Sequence, residues 1–282
     1  MKTSLVLEGG ALRDMFTMGV LDVFYRNKIR FDQAVGVSAG AAFGVNFKSH
    51  QPGRALRYNQ NYGMRDDYAS WKHWRNTGDL FNVDMCYRII PDILDPFDYD
   101  TFEEDPMDFW VCTTDIISGK PTFHKLKNGH GIDMEWIHAS ASIPIFAQPV
   151  EIKGHFYWDG GVSDSIPIDF FPRFGPTKQV VITTQPRNYR KDPKKNRLLY
   201  RQVFKGSFPA VYERLKTRAV DYNAVLEEMT QLEKNGELLV IAPPEPIDVK
   251  TVKNPPHVLQ KAYNIGVNQG LNYLDRVRDF LK

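Results

Sequence analysis

The chain has 282 residues, of which 42% are hydrophobic and 25% charged, an ordinary composition for one large globular domain or a core domain with an extension. The net charge of +2 by itself argues neither for nor against nucleic acid, and no nucleic-acid partner is expected. Two cysteines, Cys86 and Cys112, suggest neither a disulfide framework nor a cysteine-ligated zinc site. Glu8 comes too early for the apolar part of a signal peptide, and no apolar run approaches the ~20 residues of a membrane span. We therefore expect a soluble cytoplasmic protein.

The chain opens with a strand, a glycine-rich turn and a helix. Residues 4–7 form a short apolar run typical of a central parallel strand. From Met15 to Asn27 apolar residues recur at helical spacing, and Asp14 is placed to cap that helix. A second strand at 33–37 and a small-residue helix from Ala39 follow. This alternation predicts a parallel sheet with helices on both faces.

Gly9, Gly10 and Ala11 form the turn after the first strand. Backbone N–H groups at such a turn point towards whatever lies beside it, and beside a nucleophile they can form an oxyanion hole. A dinucleotide-binding loop is disfavoured, because Asp14 stands where its third glycine belongs. The three residues fit a plain turn equally well.

Residues 36–40 read Gly-Val-Ser-Ala-Gly, with an apolar strand before them and a helix after them. A sharp turn from strand to helix can hold Ser38 in a strained conformation with its side chain presented, and Gly36 and Gly40 relieve the crowding. Ser38 is therefore a candidate nucleophile. The alternative is an ordinary turn in which the serine caps the helix.

The remaining elements are less diagnostic. Residues 49–106 are polar, aromatic and weakly periodic, and we expect helices or a cap near the site there. Strands are predicted at 109–114, 121–124, 148–152, 155–158, 180–184 and 238–242, and helices at 135–142, 209–234 and 257–281.

Asp159, Gly160 and Gly161 follow the strand at 155–158. A carboxylate on an uncrowded backbone at the end of a strand suits an acid or base that faces a cleft. Asp-Gly is also the commonest turn dipeptide, so the pattern alone leaves both interpretations open.

Taken together, the Gly9–Arg13 turn, the Ser38 motif and the Asp159 motif resemble the patatin-like phospholipase family of lipid acyl hydrolases, in particular its bacterial members. Residues 140–144 (Ser-Ala-Ser-Ile-Pro) and 114–119 add to the resemblance, which covers residues 5–171. It implies a three-layer α/β fold with a mostly parallel central sheet and helices on both faces. It also implies an acyl hydrolase core at 1–172 and a helix-rich C-terminal extension at 173–282 packed on that core.

The resemblance also implies the chemistry. Ser38 would be the nucleophile and Asp159 its base, in a dyad without histidine that needs neither metal nor organic cofactor. The amides of Gly9, Gly10 and Ala11 would hold the oxyanion, with Arg13 beside them, and the substrate would be a lipid ester. The family usually has glycine after that arginine, whereas this chain has Asp14, a carboxylate near a site for an anion.

Two other functions stay open. An α/β-hydrolase-type esterase would use a Ser-Asp-His triad, and His257 follows Asp159 in the required order, whereas His138 and His155 do not. Alternatively, the protein binds lipid with an inert site, which the acidic Asp14 favours.

From Arg187 to Lys205 eight cations accompany a single acid, Asp192, and apolar residues recur near helical spacing from Asn196. Anionic lipid surfaces attract such segments. We expect this segment either to dock the protein on an anionic membrane, as a peripheral contact, or to be a solvated loop or a phosphate-contacting patch.

Overall fold

A single eight-stranded sheet forms the centre of the protein, whose computed structural model describes residues 1–282. The strands in chain order are β1 (Lys2–Leu7), β2 (Gln33–Val37), β3 (Asp108–Asp115), β4 (Pro121–Lys125), β5 (Val150–Ile152), β6 (His155–Asp159), β7 (Thr177–Ile182) and β8 (Leu238–Ile241). Their order in the sheet is β5-β6-β3-β2-β1-β7-β8, with β4 paired to β3. Strands β3, β2, β1, β7 and β8 are parallel, and β4, β5 and β6 pair antiparallel.

Nine α-helices connect and cover these strands. They are α1 (Met15–Arg26), α2 (Ala39–Lys48), α3 (Arg54–Tyr62), α4 (Trp71–Thr77), α5 (Tyr99–Glu104), α6 (Ile132–Ala141), α7 (Arg197–Phe204), α8 (Pro209–Lys234) and α9 (Pro256–Leu281). A π-helix, Met85–Leu94, precedes α5 and contains Pro91. None of the helices combines the length and the apolar character that crossing a membrane requires.

Helices lie on both faces of the sheet. Successive side chains of a strand point to opposite faces, so β1 divides its residues between two cores. Leu5 and Leu7 belong to the large core shared with α1, α2 and α9, whereas Val6 packs in a second core with Tyr222 and Met229 of α8. The sequence prediction of a three-layer α/β fold with a mostly parallel sheet is thereby confirmed.

The last helix packs directly on the first. A Cβ atom at Gly266 of α9 would overlap the Phe16 carbonyl oxygen, and one at Gly19 of α1 would overlap the Tyr263 carbonyl oxygen. Glycine at both positions therefore permits a close approach of the two helix backbones.

Most predicted elements are confirmed, and α8 spans the predicted 209–234 at both ends. Residues 49–106, which sequence patterns left unresolved, contain α3, α4, the π-helix and α5. A boundary near residue 172 stays a prediction, and β7 and β8 beyond it complete the same sheet as β1.

Candidate active site

Ser38 lies at the sharp turn between β2 and α2. Its backbone angles, φ 56° and ψ −127°, are strained for a residue with a side chain, at a cost of about 1–3 kcal/mol. The turn is held from the side of α6, because Ser38 N donates to Ser140 Oγ at 2.9 Å and Ser140 Oγ donates to the Cys112 carbonyl at 2.7 Å. Two buried hydrogen bonds therefore connect the strained turn to β3 and stabilise it.

Glycines on both sides of Ser38 allow neighbouring backbone to come close. A Cβ at Gly40 would lie 2.8 Å from the carbonyl oxygens of Leu7 and Glu8, and one at Gly36 would lie 2.6 Å from Ala41 Cα. Both contacts are tighter than a real Cβ makes. The end of β1 thus packs against the first turn of α2, and the two glycines relieve the crowding there.

Asp159 meets Ser38 because β2 and β6 both pair with β3, one after the other. Val37 of β2 is opposite Cys112, and Asp159 of β6 is opposite the next residue, Thr113. Ser38 Oγ donates a hydrogen bond to Asp159 Oδ2 at 2.6 Å. Both residues are buried. The sheet register therefore places the two predicted site residues in direct contact.

The backbone after Asp159 fixes its carboxylate. Gly161 N donates to Asp159 Oδ1 at 2.7 Å, so each carboxylate oxygen has one donor. A Cβ at Gly160 would overlap the Cys112 carbonyl oxygen, which brings this turn against β3. The Asp-Gly-Gly sequence thus forms a turn, as one interpretation of the pattern expected, and this turn also orients the Asp159 side chain.

Burial raises the pKa of the Asp159 carboxyl to about 6. Hydrogen bonds from Ser38 and Gly161 oppose this rise, as do the positive charges of Arg218 and Lys191. A carboxylate with a pKa near 6 is ionised at neutral pH and is a stronger base than an exposed aspartate.

The Gly9–Arg13 turn lies against Ser38. A Cβ at Gly9 would be 2.5 Å from Ser38 Cβ, and Ala11 has φ 51°, a left-handed conformation. The N–H groups of Gly9, Gly10 and Ala11 make no hydrogen bond of standard geometry to a protein acceptor, although the Gly10 N–H lies close enough to the Asp14 carboxyl to lower its pKa. These donors are therefore available to an oxygen atom beside Ser38.

Asp14 occupies the N-cap position of α1, as predicted, but its side chain does not cap the helix. Its side chain makes no capping hydrogen bond and is fully buried, with both carboxylate oxygens unpartnered. Burial raises the pKa of Asp14 well above its usual value, and the charges of Glu8 and Asp159 add to the rise while Arg13 opposes it. Burial therefore favours the uncharged form of Asp14 more than it does in an exposed aspartate.

An apolar cavity of about 130 Å³ opens beside Ser38. Of its 30 lining residues 22 are hydrophobic, and they come mainly from α2, α3, the π-helix and α6. Tyr58, Leu80 and Ile90 are among those that sequence reasoning did not place at the site. Only the aromatic composition of residues 49–106 pointed to them.

None of the three candidate histidines hydrogen-bonds to Ser38 or Asp159. His138 lines the cavity, and its Nδ1 is 3.6 Å from the Glu135 carboxylate. His155 and His257 are exposed, the latter in the first turn of α9. The hydroxyl of Ser38 is committed to Asp159 instead.

Comparison with protein-family models gives a match to the patatin-like phospholipase model over residues 5–172, more than half of the chain. This chain belongs to the patatin-like phospholipase family. The family resemblance deduced from the sequence motifs is thus confirmed, and membership supports a hydrolase acting on lipids. A second model, described as a domain of unknown function (DUF6363), matches residues 208–282.

Relatives span nearly the whole chain. It is 26% identical over 285 aligned residues to the uncharacterized protein YjjU of Escherichia coli K12, covering 99% of this chain and 79% of that protein. Among solved structures it is similar to VipD from Legionella pneumophila (TM-score 0.47, 12% identity, 98% of this chain and 67% of that one). It is also similar to ExoU from Pseudomonas aeruginosa, solved in complex with SpcU (TM-score 0.43, 13% identity, 100% and 53%).

The buried Asp14 carboxyl predicts a pH-dependent stability. Because the pKa is higher in the folded than in the unfolded protein, this group's stabilising contribution is complete below about pH 4 and is lost as the pH rises towards the folded pKa. Asp14→Asn, which imitates the uncharged acid, should therefore gain stability over the parent as the pH rises. Urea unfolding at pH 4, 6 and 8 measures the difference, with Asp192→Asn, an exposed aspartate, as control. A constant difference across this range would contradict the assignment of an uncharged Asp14.

Proposed function

We propose that this protein hydrolyses carboxylic esters of lipids, with Ser38 as nucleophile and Asp159 as its base. The observation that carries the proposal is the 2.6 Å hydrogen bond from the strained Ser38 hydroxyl to a buried carboxylate with a pKa of about 6. A nucleophile in hydrogen-bond contact with a base of suitable pKa is the arrangement that covalent catalysis requires.

In the first step Ser38 Oγ attacks the ester carbonyl carbon while Asp159 Oδ2 takes the hydroxyl proton. The carbonyl oxygen becomes an oxyanion, and the free N–H groups of Gly9, Gly10 and Ala11 donate hydrogen bonds to it. When the C–O bond to the alcohol breaks, protonated Asp159 gives its proton to the leaving oxygen. An acyl-serine and a free alcohol result.

Water completes the cycle. Asp159 accepts a proton from a water molecule as the water oxygen attacks the acyl carbonyl. Collapse of the second tetrahedral intermediate returns the proton to Ser38 Oγ and releases the fatty acid. Each turnover consumes one ester and one water and leaves both side chains unchanged, so the dyad supports the whole reaction.

The apolar cavity is suited to the acyl chain. Ser38 lies among its lining residues, and Phe43 and Phe102 are typical of the buried hydrophobic walls. Burying each methylene of a chain in such a cavity contributes about 0.8 kcal/mol. This feature favours a lipid ester over a small polar ester.

Asp14, the feature that favoured an inert lipid-binding protein, is compatible with catalysis. Its fully buried carboxyl has a raised pKa, so burial opposes the negative charge that would repel an oxyanion. The triad alternative is disfavoured by the exposed position of His257 on α9.

We also propose that the segment from Arg187 to Lys205 contacts anionic membranes, chiefly through residues 194–205. Helix α7 exposes Leu198, Leu199 and Val203 and packs the buried Phe204 on Trp158, next to Asp159. Exposed apolar side chains flanked by cations suit a membrane surface. The chain before α7 differs, because Arg187 forms an ion pair with Glu233.

Removing either member of the dyad should abolish hydrolysis. Ser38→Ala and Asp159→Asn should each reduce kcat/KM for a short-chain nitrophenyl ester by about a thousandfold or more, because residues that act as one unit fail together. His155→Ala and His257→Ala, at exposed positions, are the matched controls and should retain activity. Circular dichroism verifies folding, and labelling of Ser38 by a fluorophosphonate reports the nucleophile directly. Near-normal turnover by folded Ser38→Ala would refute the mechanism.

Activity should require the ionised form of Asp159. With a pKa of about 6, kcat/KM should be level above pH 7 and fall about tenfold per unit well below pH 6. The rate profile of the nitrophenyl ester between pH 4.5 and 8 measures this midpoint. A midpoint near 4, the value of an exposed aspartate, would argue against a buried base.

Membrane binding should depend on cations next to α7. Changing Lys194, Lys195, Arg197 and Arg201 to Gln should weaken binding to phosphatidylglycerol vesicles about tenfold or more, since each cation contributes about 1 kcal/mol at such a surface. Vesicle flotation at low and high salt, with and without the anionic lipid, measures it. The control changes exposed Lys28, Lys234, Lys261 and Lys282 to Gln. Equal losses of binding in both variants would mean that only the net charge of the protein matters, and would contradict a specific docking surface.

A further inference from the structure

Three basic side chains lie near the dyad, and none of them lines the apolar cavity. Arg13 belongs to the turn after β1, Lys191 to the loop after β7, and Arg218 to α8. None of the three, each partly exposed, forms an ion pair with a carboxylate within 4.0 Å, whereas the buried cations Lys48 and Arg54 both do. These residues are called here the cation cluster.

Arg218 reaches the backbone of the Asp159 turn. Its Nε donates to the Gly161 carbonyl oxygen, and a terminal guanidinium nitrogen lies 3.5 Å from the Cβ position of Gly161. One side of the guanidinium is thereby anchored. Arginine has five N–H donors, so the others are available to an acceptor beside the dyad.

Both the backbone and the side chain of Lys191 are fixed by contacts with α8. Its backbone N–H donates to Asn223 Oδ1 at 2.8 Å, and its carbonyl accepts from Asn223 Nδ2 at 3.0 Å. The ammonium nitrogen lies 3.4 Å from the centroid of the Tyr222 ring. This geometry fixes the lysine over an aromatic face instead of leaving it in solvent.

The nearby acids form no ion pair with the cluster. Glu8 uses one carboxylate oxygen to accept from Thr184 N and the other to accept from the Tyr222 hydroxyl, each at 2.7 Å. Asp159 accepts from Ser38 and Gly161, and burial opposes the charge of Asp14. The N–H donors of the cluster therefore stay available to an anionic ligand.

The electrostatics of Lys191 agree with this geometry. Burial and the neighbouring charges of Arg218 and Arg13 lower the pKa of Lys191 to about 6, against the opposing charges of Glu8 and Asp159. An anion bound between Lys191 and Arg218 would restore the lysine's proton and form charge-assisted hydrogen bonds.

We propose that Lys191 and Arg218, assisted by Arg13, bind the phosphate of a glycerophospholipid whose ester is attacked by Ser38. This inference rests on the proposed function. The apolar cavity is lined by helices on the α2 side of the sheet, whereas Arg218 comes from α8, which packs on the opposite face. With the acyl chain in the cavity, the glycerol and its phosphate extend towards the cation cluster.

The proposal assigns a role to the C-terminal part of the chain. Lys191 and Arg218 both lie outside the residues matched by the patatin-like model, and Arg218 lies in the domain of unknown function at 208–282. That domain would then select phosphate-bearing lipids, while the core supplies the ester chemistry.

The test compares two lipids with the same acyl chains and no net charge, phosphatidylcholine and diacylglycerol, in neutral detergent micelles. Lys191→Gln should reduce the ratio of their kcat/KM values about tenfold or more, the effect of one charge-assisted hydrogen bond. Arg218→Gln should reduce it likewise, and Lys191→Arg, which keeps the charge, should restore most of it. Lys234→Gln, an exposed cation on α8, is the matched control and should leave the ratio unchanged.

The outcomes distinguish a failure of the phosphate subsite from a failure of the proposed ester hydrolysis. If the parent cleaves both lipids but Lys191→Gln leaves the ratio unchanged, the phosphate subsite is wrong while the dyad stands. If the parent cleaves neither lipid nor the nitrophenyl ester, the proposed function itself fails. Inhibition of nitrophenyl ester hydrolysis by inorganic phosphate, lost in Lys191→Gln but with an unchanged lipid ratio, would assign the cluster to free phosphate and overturn the proposal.

Discussion

The hydrogen bond between Ser38 and Asp159 is the interaction on which the site depends, and it demands two unfavourable conditions at once. The serine is held in a strained backbone conformation, and the carboxylate is buried away from water. Either condition alone costs free energy. The hydrogen bond offsets part of that cost, because the buried carboxylate gains a donor and the hydroxyl of the strained serine gains an acceptor. Burial, opposed by the hydrogen bond from Ser38, gives the Asp159 carboxyl a pKa of about 6.

Strand β3 is the reason these conditions can coincide. It pairs with β2 up to Cys112 and with β6 from Thr113 onwards, so the ends of β2 and β6 meet along one neighbour. The Cys112 carbonyl then accepts from Ser140 Oγ, which in turn holds Ser38 N. Strand β3 thus positions the nucleophile, the base and the serine that holds the nucleophile's backbone. Sites built on strands hold their geometry better than sites built on loops.

Sequence alone predicted the parts of this site that are local. The Ser38 turn was recognisable because strand, glycines and helix are contiguous. Asp159, 121 residues away, carried a pattern that equally indicated a turn, so the family resemblance was needed to single it out. The local pattern at Asp14 predicted a capping side chain. Such a pattern carries no information on burial, and the side chain is buried without a capping hydrogen bond. Arg218 gave no sign at all, because a charged residue in a long polar helix is indistinguishable from a solvated one.

The cation cluster and the base are electrostatically one system. Arg218 and Lys191 both lower the pKa of Asp159, against the effect of its burial, while Arg218 also lowers that of Lys191. A phosphate bound to these side chains would add negative charge beside Asp159, while the proton that it restores to Lys191 would add positive charge. The two changes oppose each other at Asp159, so the base would keep a pKa close to that of the free enzyme when a phosphate-bearing lipid is bound. In the proposed mechanism the C-terminal extension would therefore select the substrate through charge, without altering proton transfer in the core and without any movement of the backbone.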